Sequence, residues 1–201
     1  ILKAEKLTEI EDLYRPFKEK KKTRATMAKA KGLEPLAHYL LTYPASGVEA
    51  EAEKYINEEI KSVDEALQGA RDIIAEIIAD NADYRKWIRE YMTKKGEIQS
   101  KVRDESLDER KVYEQYYDYS EPISRIVPHR ILAMNRGESE KILRISILDD
   151  AEGVHRYLVK EVISVREVTE STKQVKLAIE DAYKRLIKPS IEREIRANLK
   201  E

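Results

Sequence analysis

A chain of 201 residues, 41% hydrophobic and 38% charged, can bury a sizeable core; it is too apolar for wholesale disorder and too polar for a membrane protein. No apolar run approaches the length needed to span a bilayer, the first residues carry no signal-peptide pattern, and the formal net charge is −1. Zero cysteines exclude disulfides and thiolate metal sites and are consistent with a cytoplasmic location.

Helical periodicity dominates the chain. Over 2 to 14, Leu2, Leu7, Ile10, Leu13 and Tyr14 recur at three- and four-residue steps, and Pro16 stops the pattern. A basic stretch follows. Between Arg15 and Lys31 there are eight basic residues (Arg15, Lys18, Lys20, Lys21, Lys22, Arg24, Lys29, Lys31) against one acid, Glu19, a local balance of +7 that leaves the other residues at −8. A basic island on an acidic body is the footprint of a polyanion contact, since Lys and Arg gain binding free energy by displacing counterions from phosphates. A solvated turn between helices is the alternative reading.

A short helix from about Ala25 should end at Gly32, a left-handed cap, and the next should start at Pro35 and end by Pro44 and Gly47. The longest signal is 62 to 79. Ser62 and Glu65 form a capping box, and Ala66, Leu67, Ala70, Ile73, Ile74, Ile77 and Ile78 make one apolar stripe on a helix about 25 Å long at 1.5 Å per residue. Asn81 should cap a following helix whose buried face is Tyr84, Trp87, Ile88, Tyr91 and Met92, ending at Gly96. From Ile98 to Arg110 charge alternates too densely to bury anything, which predicts a loop or short helix.

Tyr113, Tyr116 and Tyr117 share a helical face, and Pro122 breaks that run before a helix from Pro128 to Arg136. The period then changes: Leu143, Ile145 and Ile147 alternate with Ile142, Arg144, Ser146 and Leu148, which predicts a strand. The turn-like residues 149 to 153 could join it to a second strand over Val154 to Val159, and such a hairpin must pack on something to be stable. The end is helical, from about Lys173 to Ile187 and again from Pro189. The fold expected is mainly α, a multi-helix scaffold with a small β-hairpin near 142–159.

Four segments carry a resemblance: LYRPFKEKKKTR with the helix ending KAKGLEPLA, DYSEPISRIVPHRILAMNRGE at 118 to 138, KILRISI at 141 to 147, and DAYKRLIKPSIEREIRANLKE at 181 to 201. Together they resemble the N-terminal region of the Tex family of bacterial transcription accessory proteins, over essentially the whole chain. The resemblance implies a helical region spanning 1–201, subdivided near 97–110, that belongs to a longer protein. An RNase-H-like domain, helix-hairpin-helix motifs and a C-terminal RNA-binding OB-fold domain, which the family carries further on, do not occur in this sequence. It also implies a transcription-associated cytoplasmic protein. The partners implied are nucleic acid (RNA rather than DNA, bound weakly by this part), the remaining domains of the full-length protein, and the transcription or translation machinery, but no membrane.

Catalytic chemistry is not legible. The sequence has no phosphate-binding GxxxxGK[ST] loop, no GxSxG nucleophile elbow and no HExxH zinc helix. His38, His129 and His155 lie far apart without metal-ligand spacing and suit surface or capping roles. No catalytic residue, metal site or cofactor is expected. A second basic segment is Ser124 to Arg136, with Arg125, His129, Arg130 and Arg136. On a helix from Pro128, His129 and Arg136 share a face that could meet phosphates, but Glu121, Glu138 and Glu140 are close enough in sequence to favour ion pairing instead. Twelve tyrosines against one Phe and one Trp suggest aromatic bodies packed inward with hydroxyls reaching water, more than base stacking.

Overall fold

A computed structural model describes residues 6–200. Along the chain, α1 (Leu7–Tyr14), α2 (Arg24–Ala30), α3 (Glu34–Leu40), α4 (Val48–Glu53), α5 (Val63–Ala79) and α6 (Ala82–Lys95) precede β1 (Glu97–Val102) and β2 (Asp118–Pro122). Then come α7 (Pro128–Ser139), β3 (Leu143–Leu148), α8 (Ala151–Val162), α9 (Glu170–Asp181), a π-helical turn (Ala182–Ile187) and α10 (Lys188–Asn198). The protein is mainly helical, with a small three-stranded antiparallel sheet. It divides into two compact units, one of residues up to Lys86 with His155–Lys188, the other of Trp87–Val154 with the residues from Pro189 on.

In the first unit, α5 is the element that α2, α3, α4, α9 and the π-helical turn all pack against. Its stripe is buried as the periodicity requires, with Ala66, Ala70, Ile73 and Ile74 fully inside, but Ile77 is 45% exposed. Ile77 lies off the centre of the arc that faces α9, where Val175, Ala178 and Ile179 fill the opposite surface. The Ser62 hydroxyl accepts from the Glu65 N–H at 3.1 Å, while the Glu65 carboxylate reaches past Ser62 to the Lys61 N–H at 2.8 Å. Only half of the expected capping box therefore forms at Ser62 itself.

α2 ends in a Schellman motif: Gly32, at φ 80°, donates to the Lys29 carbonyl and Leu33 to that of Ala28. The turn drops Leu33 onto α5 at Gly69, where a Cβ would lie 2.3 Å from Leu33 Cδ1, so any larger residue there would force the Leu33 side chain to shift. Thr23 and Thr169 cap α2 and α9 in matching boxes with Thr26 and Thr172. The predicted apolar face of the first helix is largely solvent-facing: Leu7, Ile10, Leu13 and Tyr14 are exposed, and Leu2 lies outside the described residues.

The second unit is built on the sheet, in the order β2-β1-β3. The segment expected to be a loop thus supplies the central strand. β1 has one fully buried apolar residue, Ile98, and its other buried inward position is Ser100, whose hydroxyl donates to the Tyr116 carbonyl at 2.7 Å. Charge density hid the strand because long-range pairing, with Ile98 opposite Glu121 and Ile147, satisfies its backbone on both edges. Tyr113, Tyr116 and Tyr117 stand around a single 3-10 turn instead of an α-helix, and their run leads into β2.

β3 alternates as expected, with Leu143, Ile145 and Ile147 buried. Its partner, however, is β1. Residues 154 to 159 lie in α8, where Val154 and Leu158, four apart, are fully buried. The turn-like DDAEG is a helix cap, since the Asp150 carboxylate accepts from the Gly153 N–H at 3.0 Å. The other edge of β3 is closed by side chains: the amides of Ile145 and Ile147 donate to Glu138 and Glu192 at 3.4 and 3.2 Å. α7 packs on β3, with Gly137 against Leu143.

Candidate nucleic-acid interface

The basic segment begins where α1 is anchored. Asp12, 2% exposed, pairs with the equally buried Arg85, Nε to Oδ1 at 2.9 Å, and Arg85 also donates to the Ala79 carbonyl. Removing one partner from such a pair leaves a buried charge uncompensated, so the pair holds the end of α1 against the turn between α5 and α6. A 3-10 turn over Arg15–Phe17, with Pro16 inside it, then releases the chain toward α2.

The eight basic side chains are not equivalent. Lys20 bridges α5, its ammonium 3.2 Å from Glu76 and paired also with Asp80, and its side chain is only 24% exposed. The Thr23 hydroxyl, one turn later, donates to the same Glu76. Lys20 and the cap of α2 are thus fastened together to the last turns of α5. Arg15 is half-buried. Lys18, Lys21, Lys22, Arg24, Lys29 and Lys31 are exposed, and none of these six forms an ion pair among the described residues.

Because Ala25 and Ala28 turn inward, the basic residues of α2 fall on its two flanks. One flank borders a groove of about 480 Å³ that includes Lys18, Lys20, Thr26, Lys29 and the exposed Ile77. The other borders a groove of about 640 Å³ with Arg24, Met27, Lys31 and, from α5, Gln68 and Arg71. Arg71 lies outside the basic stretch, and nothing in the local sequence marks it. Its guanidinium donates to the amide oxygens of Gln174 and Gln68, the latter at 2.8 Å. Burial lowers its pKa from the ordinary arginine value, opposed by the charges of Asp72, Asp64 and Asp181, and the group stays cationic.

The second basic segment lies in the other unit. Arg130 pairs with Glu121, donating to both carboxylate oxygens at 2.9 Å, with its guanidinium 6.0 Å from the centre of the Tyr119 ring. The Tyr119 hydroxyl and, after the opposing effect of burial, Arg130 hold the Glu121 carboxyl below its usual range. Arg125, His129 and Arg136 are exposed. Glu138, expected near them, pairs with Arg196 of α10. Arg130 is therefore engaged as the ion-pairing reading of this segment expects.

Among the described residues, no group of three or more His, Asp or Glu could hold a metal ion. His38 lies 3.8 Å from Glu34 one helical turn away, His129 is exposed and His155 is half-buried. No described helix is long and apolar enough to cross a membrane.

Residues 43–201 match a family model described as Tex central region-like. The chain is 52% identical to the uncharacterized protein YdcI of Bacillus subtilis over 98% of its own length and 28% of that protein's. It is 40% identical to the protein tex of Bordetella pertussis over 73% of this chain and 19% of that protein. It is also 32% identical to the human S1 RNA-binding domain-containing protein 1, over 99% of this chain and 21% of that protein. The chain thus spans less than a third of the length of these relatives, and the basic segment precedes the span that the family model matches.

Proposed function

The chain belongs to the Tex family, and from that premise we propose that it is a helical scaffold region of a cytoplasmic, transcription-associated nucleic-acid-binding protein, touching nucleic acid itself, weakly and without sequence preference, through the basic segment. Relatives named as transcriptional accessory protein Tex and as an S1 RNA-binding domain-containing protein make RNA the favoured partner. The carrying observation is the six exposed basic side chains of residues 18 to 31 that lack an acidic partner, on a unit where Lys20 and the Thr23 cap fix their position. Unneutralised cations held on a folded surface are what counterion release requires. The role is binding, not catalysis: no hydrolysis of nucleotides or nucleic acid is expected, with or without divalent metal.

The expected affinity is that of nonspecific contacts, about 10⁻⁴ to 10⁻⁶ M at physiological salt. If about four side chains meet phosphates of one strand, log K should fall against log salt with a slope near −3, at about −0.7 per contact. Fluorescence anisotropy with a labelled oligouridylate tests this. Changing Lys18, Lys21, Lys22 and Lys29 together to Gln should remove most of the binding and flatten the slope while the fold persists. Unchanged binding would exclude the segment as the contact.

A second reading, a protein-interaction module that positions other domains without touching nucleic acid, is favoured by one observation. Leu7, Leu13, Tyr14 and Phe17, the last 81% exposed, place an apolar surface beside the basic segment. Absence of binding by the parent chain even at low salt would select it.

A further inference from the structure

The two flanks of α2 differ in what they could hold. On the Arg24 side, Arg24, Lys31 and Arg71 surround the groove of about 640 Å³ and none of the three has a carboxylate partner. Arg71 is the informative one. It is half-buried, yet its hydrogen bonds go to two glutamine oxygens, which orient the guanidinium without neutralising it. Among the described residues no carboxylate pairs directly with this half-buried guanidinium, although the charges of Asp72, Asp64 and Asp181 act on it from farther away, and an anion entering beside it would gain a charge-assisted hydrogen bond. The groove also carries three acids: Asp72 accepts from Gln68 at 2.9 Å and lies 4.0 Å from Arg185, Glu65 accepts from the Lys61 N–H at 2.8 Å, and Asp64 stands exposed at the rim. Beneath the cations the groove is apolar. Leu33 and Ile60 form its floor and Met27, 41% exposed, stands at its opening.

Cations above an apolar recess match one polymer chemistry well, an unpaired nucleotide whose phosphate lies outside and whose base turns in. A paired base is stacked inside its duplex and cannot reach such a recess. Resting on the reading of the basic segment as a nucleic-acid contact, we propose that this groove holds one nucleotide of a single strand, its phosphate against Arg71 with Arg24 and Lys31 and its base against Met27.

The chain's three methionines make the test direct, because Met92 and Met134 are fully buried and serve as internal references. With methyl-labelled methionine, an oligouridylate of about twelve nucleotides should move the Met27 methyl resonance and leave the other two in place, and a duplex of the same length should not move it. Arg71→Gln should weaken strand binding about fivefold at 0.1 M salt and reduce the slope by about 0.7, whereas Arg71→Lys, which keeps the charge, should retain the slope. Thermal unfolding of both variants shows whether the groove stays folded; a folded Arg71→Gln variant with parental slope overturns the proposal. A Met27 signal that stays fixed while anisotropy saturates overturns it too, and if the Lys18, Lys21, Lys22 and Lys29 variant then still loses binding, the basic-segment reading survives alone. Equal shifts from the duplex overturn the single-strand assignment. A shift with polyglutamate and none with the strand makes the groove a protein dock instead. No binding of any strand, even at low salt, removes the underlying reading and this proposal with it.

Discussion

Lys20→Gln should destabilise the protein without weakening nucleic-acid binding by more than the fold change explains. The ammonium is shared by Glu76 and Asp80, whose side chains are 15% and 14% exposed and stand one helical turn apart near the C-terminal end of α5. A glutamine can hydrogen-bond one of them but neutralises neither, so two partly buried carboxylates would face each other at the negative end of a helix dipole. An exposed pair is worth about 0–1 kcal/mol and removing one partner of a buried pair costs about 3–5, so this half-buried bridge should cost about 1–3 kcal/mol. At about 2–4 °C per kcal/mol for a chain of this size, Tm should fall by roughly 2–12 °C. Lys21→Gln and Lys22→Gln, on exposed neighbours, should change stability by less than about 0.5 kcal/mol. Each should instead flatten the salt dependence by about 0.7. Thermal denaturation and salt-titrated anisotropy on the same three variants separate the two effects. If Lys20→Gln melts with the parent and flattens the slope as Lys21→Gln does, the bridge to α5 is not formed in solution and Lys20 belongs with the contacts.

Along α5, Ile74→Ala should cost about 2–5 kcal/mol in denaturant titration, because the side chain is fully buried, and Ile77→Ala under about 1; equal costs would mean the register is wrong. Glu192→Ala removes the acceptor of the Ile147 amide at the edge of β3, so that amide should exchange hydrogen faster and stability should drop by about 1–3 kcal/mol; unchanged protection would show that the edge is closed by something else. Burial pushes the Asp108 carboxyl up, yet the Tyr113 N–H, the Tyr117 hydroxyl and the Val112 N–H bring it below its usual range. A depressed carboxyl contributes stability above its unfolded pKa, about 4, and loses it as pH falls through the folded value, so the parent should lose stability relative to Asp108→Asn below about pH 4. Tyr117, pushed up to about 12 by burial and then by Asp108, contributes stability that is complete below about pH 10 and lost as pH rises from there toward about 12. Parallel stability curves for the parent and Asp108→Asn at both extremes would refute this account of the 108–117 turn.

Local chemistry made much of this protein legible from its sequence. The helix over 63–79, its Ser62 cap, the Gly32 stop, the Asn81 cap and the alternation of β3 each follow from groups within a few residues of one another, and each is present. The basic island, too, is a property of the sequence alone. Where two periods fit the same residues, tertiary context decided. Val154 and Leu158 suit a strand or a helix, and the Asp150 cap with burial of both residues settled the helix. β1 could not be read because its inward face carries a serine satisfied by the distant Tyr116 carbonyl, and because strand pairing is a long-range backbone property.

The same distinction governs the candidate interface. Sequence supplied eight cations between positions 15 and 31, but only the fold separates Lys20, turned onto Glu76 and Asp80 about sixty positions away, from its exposed neighbours. Only the fold adds Arg71 to Arg24 and Lys31. Charge is written in the sequence; desolvation and the identity of the nearest opposite charge are not, because both depend on which distant helix a side chain meets.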